Sequence, residues 1–246
     1  MKLSLVIYLS QHSTLHWRHL LNTLPAQEEV FIFHAPQVEL PEDLPEHWQV
    51  VSTPNGVQEA WKTGLKKATG DYISFFEHVV SLHPEHFNLC VDALTEGSDD
   101  LVFTQADYVN SCFMPEPFHL PVLQSGDLPG FLLQSVLHWP IECFVFRKSA
   151  LQDFPFTEAS DLSRVAQLLS WAQTHAYQCL PVPTVEASFQ EHWSRADEKF
   201  LKRLLAEYTP EELLPTYAKA VRSGLSDTGQ AQRFVLQSLR NHSALA

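Results

Sequence analysis

Glu77 and His78 follow directly on the apolar run Tyr72-Ile73-Ser74-Phe75-Phe76. If that run is a β-strand of an open α/β sheet, a carboxylate and an imidazole stand at its C-terminal end. Ligands bind at that end in such sheets. The plainer alternative for Glu77 is a solvated carboxylate closing a strand. The other residues with reactive side chains form no recognisable set. Thirteen histidines are scattered, with no HExxH and no Cys/His ligand spacing. His12, His16 and His19 could share part of one helical face, and His83 and His86 fall in the first turn of another expected helix. Most of the histidines are expected at the surface or at helix caps, and a dedicated metal cluster is not expected. Cys90, Cys112, Cys143 and Cys179 are widely spaced without a CxxC, so buried free thiols are expected rather than disulfides or metal ligands.

The elements that must position Glu77 are legible around it. Val57, Ala60, Trp61, Gly64, Leu65 and Ala68 recur at helical spacing and predict an amphipathic helix with its apolar stripe on a sheet. Lys62, Lys66 and Lys67 point elsewhere. Gly70 suits the position just past the helix, where a positive φ is often needed. Tyr72–Phe76, aromatic and β-branched, then reads as a strand.

Upstream, Leu3–Leu9 is a continuous apolar run, as in a strand covered on both faces, and Glu29–His34 reads as a second buried strand. Between them Leu20, Leu21 and Leu24 predict a helix ending before Pro25. A proline- and acid-rich loop from Pro36 to Trp48 leads to a short strand, Gln49–Ser52. This β-α-β order predicts a parallel sheet with right-handed crossovers.

Downstream, a helix opens around Ser81-Leu82-His83-Pro84, with Pro84 in the first turn and Phe87, Cys90, Val91 and Leu94 on its core face. Leu101–Thr104 is a strand. Residues 110–129 form a proline-containing loop of a length that is often functional. Ile141–Arg147 is a strand, and Glu158–His175 a helix. Tyr177–Phe189 is extended, and Pro181 and Pro183 suit it to an edge or to broken strands. Past Trp193 the pattern turns helical to the end, with a capping box at Thr209-Pro210-Glu211-Glu212. Residues 1–194 are therefore expected to form an α/β domain and 195–246 a helical appendix, which packs on the body or offers a surface to a partner or a second copy.

The chain has 246 residues, 45% of them hydrophobic and 18% charged, with a formal net charge of −13. That charge disfavours nonspecific binding to nucleic acid or anionic lipid. No apolar run is long enough to span a bilayer. The short apolar start reads as a first strand rather than a signal peptide, and a cytoplasmic protein is expected.

The order of these parts resembles the GT-A glycosyltransferase domain of the broad family 2. That family carries a pattern of the form NxGxxxARNxGLxxAxGxYIxFLDxDDxxxPxxL. Here Asn55-Gly56, Ala60, Gly64-Leu65, Ala68, Gly70, Tyr72-Ile73, Phe75-Phe76-Glu77 and Pro84 keep its frame. Later, PIECFVFRKSAL, PFTEASDLSRVAQLLSWA and QCLPVPTV are similar to the family's acceptor-side half.

The resemblance implies a mostly parallel central sheet flanked by helices. It also implies transfer of a sugar from a nucleotide-diphosphate donor to a hydroxyl of a surface glycan, a teichoic-acid-like polymer or a glycoprotein. Asn55, Lys62, Glu77, His78 and His192 fall where the family handles its donor. Glu77, the first acid of the DxD motif, would hold Mn²⁺ or Mg²⁺, hard cations bound against substrate phosphates. Asp161, in Ser160-Asp161, matches the base that deprotonates the acceptor. It could equally cap the helix starting at Leu162, and His192 beside Trp193 could serve in packing. The chain also departs from the pattern. Val79 replaces the second DxD acid, Trp61-Lys62 replaces Arg-Asn, and Phe33-His34-Ala35-Pro36 lacks the aspartate that contacts the nucleoside. A second reading is thus a degenerate GT-A domain kept for binding or assembly.

Overall fold

The computed structural model describes residues 2–10, 24, 28–77, 79–109, 140–152, 154, 156, 167, 171 and 174–188. The strands are β1 (Leu3–Leu9), β2 (Glu29–His34), β3 (Gln49–Ser52), β4 (Tyr72–Phe76), β5 (Val79–Leu82), β6 (Leu101–Val109), β7 (Phe144–Arg147) and β8 (Tyr177–Ser188). Helix α1 (Gly56–Lys67) joins β3 to β4, and α2 (His86–Glu96) joins β5 to β6. The strand order is β3-β2-β1-β4-β7-β6-β8-β5. Within it β3-β2-β1-β4 and β6-β8 are parallel, while β4-β7, β7-β6 and β8-β5 are antiparallel. The expected mostly parallel sheet is present, with β7 and β5 reversed.

β1 and β4 are buried along their whole length because they lie in mid-sheet. On one face Trp61 of α1 packs against Phe75, ring centroids 5.1 Å apart, and Phe75 meets Phe156 at 5.4 Å. On the other, Phe76 meets Phe87 of α2 at 5.9 Å and the Tyr72 hydroxyl meets Thr95 Oγ1 at 3.1 Å. Alternating side chains of one strand thus enter two apolar layers, which is why its sequence shows no polar face. Ala60, Trp61, Gly64 and Ala68 are buried as the helical spacing predicts.

Four local expectations are corrected. Gly70 has no positive φ; among the described glycines the one that does is Gly56, at +77°. Gly70 is required instead by close approach, since a Cβ there would lie 2.6 Å from both the Lys2 carbonyl oxygen and Ser4 Oγ. Residues 79–82 form β5 rather than a helix start, and α2 begins at His86. Their β-branched and apolar side chains suit a strand, and β8 supplies the pairing, with the His83 N–H reaching the Thr184 carbonyl at 2.8 Å. Ile141–Cys143 is a 3-10 turn, and the strand runs only from Phe144. β8 is one continuous strand inside the sheet, between β6 and β5. Its register with β6 shifts between Phe103 and Ala106, opposite Cys179–Val185, which contains both prolines. A proline has no N–H to give to the ladder, so the irregularity falls there.

The expected helices at 15–24 and 158–175, the loop at 110–129 and the appendix at 195–246 lie largely or wholly outside the described residues. So do His78, Asp161 and His192. Among the described residues no helix is long and apolar enough to cross a membrane.

Candidate functional site

The parallel registers bring the C-terminal ends of β1, β2, β3 and β4 to one edge of the sheet. Leu9 pairs with His34, His34 with Ser52, and Ile7 with Phe76. The connections leave in succession from this edge. The Ala35 N–H donates to the Leu9 carbonyl at 3.0 Å, and the Thr53 N–H to the His34 carbonyl at 2.9 Å. The chain turns outward from β1 toward β2 on one side and toward β4 on the other. That divergence is the switch point where open sheets leave a crevice.

Two of the residues singled out from the sequence border this edge. Glu77 follows the last residue of β4 and is partly exposed. Asn55 precedes α1, its N–H bonded to Thr53 Oγ1 at 3.3 Å, and its side chain makes no capping bond. Gly56 turns the chain with its positive φ, and the helix N-terminus that follows presents unpaired N–H groups and a partial positive charge. Lys62 is elsewhere. It sits six residues into α1, about 9 Å of helical rise from the edge. Its flexible stem is the only means by which it would reach a ligand there.

Glu142, not among the residues expected at the site, belongs at the end of β4. Its side chain is 1% exposed, and Oε1 accepts the main-chain N–H of Glu77 at 2.7 Å. The available signal was a lone acid inside the apolar run from Ile141 to Phe146.

His86 departs from the surface or cap position expected of most histidines. It is fully buried on α2, with Nδ1 2.7 Å from Thr184 Oγ1, whose hydroxyl donates to Thr104 Oγ1 at 2.7 Å. Burial lowers its pKa from 6.5 to about 4, against an opposing pull from the Glu142 main-chain carbonyl. No well-formed hydrogen bond reaches Nε2.

The sign of the resulting pH dependence is fixed. Between pH 6.5 and about 4 the unfolded chain binds the proton and the native one does not. His86 therefore costs stability as the pH falls through that window, on the order of 3 kcal/mol by pH 4. Urea unfolding of the wild type and of His86→Gln at pH 7 and at pH 4.5 should show a steeper acid loss in the wild type. Equal losses would mean that the imidazole does not titrate in this window.

Cys90, Cys143 and Cys179 are free thiols, as expected. Burial pushes Cys90 up to about 12 and Cys179 up to about 11, and Cys143 is raised well above its usual value. Such thiols stay protonated and unreactive. Cys112 is outside the described residues. Among the described residues, no group of three or more His, Cys, Asp or Glu could hold a metal ion. Glu77 is one hard oxygen donor at the edge, and the main chain of Val79, whose side chain cannot ligate, is committed to β5 opposite Ala187. By itself Glu77 is a single candidate ligand for a hard cation, which takes several oxygen donors.

Residues 36–154 match the model of Glycosyl transferase family 2. That stretch contains Asn55, Lys62 and Glu77 and ends before Asp161 and His192. The resemblance read from Asn55 to Leu94 is thus borne out by a match over the same residues. No curated protein matches the chain. Among solved structures the chain is similar to S. aureus TarS 1–349 in complex with UDP-GlcNAc, with a TM-score of 0.56 and 16% identity, covering 100% of this chain and 74% of that one. It is similar to the same fragment in complex with UDP, at 0.56 and 15%, covering 99% and 72%. A third, a crystal structure of S. aureus TarS, gives 0.56 and 15% over 84% of this chain and 39% of that one. At these identities the likeness speaks for the GT-A fold.

Proposed function

We propose that this chain, which carries a glycosyl transferase family 2 match on a GT-A fold, transfers a sugar from a nucleotide-diphosphate donor to a hydroxyl of a glycan or cell-surface polymer. The observation that carries this is the placement of Glu77 at the C-terminal end of β4, beside the divergence of β1 and β4. In the reaction, Asp161 takes the proton of the acceptor hydroxyl. The oxygen attacks the anomeric carbon, and the nucleoside diphosphate leaves with the bonding pair, with inversion. Asn55, His78 and His192 contribute to holding the donor, and Lys62 offers a cationic donor of hydrogen bonds to phosphate. A Mn²⁺ or Mg²⁺ ion, held by Glu77 and the diphosphate oxygens, would stabilise the charge that develops on the leaving group. A cytoplasmic setting and a helical appendix at 195–246 that meets a partner or a second copy belong to the same proposal.

The second reading, a domain that binds or assembles without catalysis, is favoured by Val79. The family's second acid is replaced by a residue whose main chain is locked into the β5–β8 ladder. One experiment separates the two. Thermal shifts are measured with UDP, UDP-sugars and the other nucleoside diphosphates, each with Mn²⁺ and with chelator. Donor binding at 100-fold excess over Kd should raise Tm by about 5–10 °C, and the chelator should reduce the shift. A flat panel would favour the binding or assembly module.

A further inference from the structure

We propose that Glu142 is a positioning residue, whose carboxylate holds the end of β4 by the Glu77 N–H and so sets where the Glu77 carboxylate stands. The consequence for the donor rests on the function proposed above; the control of the strand end does not.

β4 and β7 pair antiparallel, with Tyr72 opposite Arg147, Ile73 opposite Phe146 and Ser74 opposite Val145. Carrying this register three residues further sets Glu77 opposite Glu142. The regular pairing stops before that point, because Ile141–Cys143 curls into a 3-10 turn. Where a ladder would offer a main-chain carbonyl, the Glu142 side chain offers its carboxylate oxygen, 2.7 Å from the Glu77 nitrogen. The ladder is in effect completed by a side chain. Ser74 helps seat the same segment, its Oγ donating to the Phe144 carbonyl at 2.8 Å.

The surroundings of this position along the chain are apolar. Its neighbours Ile141, Cys143, Phe144, Val145 and Phe146 are buried and form the core. A carboxylate 1% exposed among them is tolerated only where hydrogen bonds hold it. The Glu142 main-chain carbonyl in turn meets the imidazole of His86, itself tied to Thr184. Glu142 therefore lies between α2 and the end of β4. Where the family's motif has a second acid beyond the strand, this chain has an acid from another segment bonded to the strand end.

The test compares Glu142→Leu, Glu142→Asp and Glu142→Gln by amide hydrogen exchange and by titration with UDP and Mn²⁺. Leu removes the acceptor, Asp keeps the charge but withdraws it by one methylene, and Gln keeps an acceptor at full reach. The Glu77 amide should exchange about tenfold faster in the Leu and Asp variants and stay within about twofold of wild type in Gln. The amides of Tyr72–Ser74 should be unaffected. UDP affinity should follow the same order. If Leu fails to fold, Asp carries the comparison. An unchanged Glu77 amide in Asp, or a Gln variant as impaired as Asp, would overturn control of the strand end. A faster amide with unchanged UDP affinity would overturn the positioning role. If the wild type binds no UDP, the donor reading falls, and the amide alone decides whether Glu142 holds β4.

Discussion

Asparagine in place of Asp161 should lower kcat by about 10²- to 10⁴-fold, the usual contribution of a positioned general base. The side chain keeps its size and can still cap a helix, but it can no longer take the acceptor proton. Because that proton moves only in the transition state, kcat and kcat/KM should fall together. UDP affinity should stay within about twofold, since the donor is bound before the base acts. Steady-state transfer with a UDP-sugar donor, paired with UDP titration, measures both. Full turnover in the variant would overturn the assignment of Asp161 as the base.

The largest stability effect is expected at Phe75. Its ring is fully buried and lies 5.1 Å from Trp61, 5.4 Å from Phe156 and 6.1 Å from Phe146. These partners come from α1, from β7 and from the segment that follows it, so no single element can move to fill the space. Phe75→Ala should cost about 3–5 kcal/mol, a fall in Tm of more than about 6 °C. Val50→Ala is the control. That side chain is 44% exposed on the edge strand β3 and should change stability by less than about 0.5 kcal/mol. Measured by urea unfolding, a loss at Phe75 no larger than at Val50 would mean that α1 is not packed on β4 as described. Phe75 also stands two residues before Glu77, so the same substitution should weaken UDP binding in whatever fraction remains folded.

The strands that carry the candidate site were legible because each meets the simplest condition for burial on two faces. Leu3–Leu9, Glu29–His34 and Tyr72–Phe76 are short, mostly apolar and bounded by polar or turn residues, and the structure keeps those bounds. α1 was legible from the spacing of Ala60, Trp61, Gly64 and Ala68. What misled was local chemistry taken without its neighbours. Pro84 suggested a helix start two residues early, because the strand partner of Val79–Leu82 lies about a hundred residues away in β8. Pro181 and Pro183 suggested an edge, whereas the sheet absorbs them by a register shift. Gly70 suggested a positive φ, when the constraint is the nearness of Lys2 and Ser4.

The sequence alone determined the α/β layering, the position of Glu77 at a strand end and the family frame from Asn55 to Pro84. Those features depend on residue type and spacing within a single segment. Only the tertiary structure decided that β7 and β5 run antiparallel, that His86 is buried beside Thr184, and that Glu142 meets the Glu77 N–H. Each of these is a contact between segments distant in sequence. A side chain's burial and hydrogen-bond partners are set by what the fold brings against it, and that is not encoded in its own spacing.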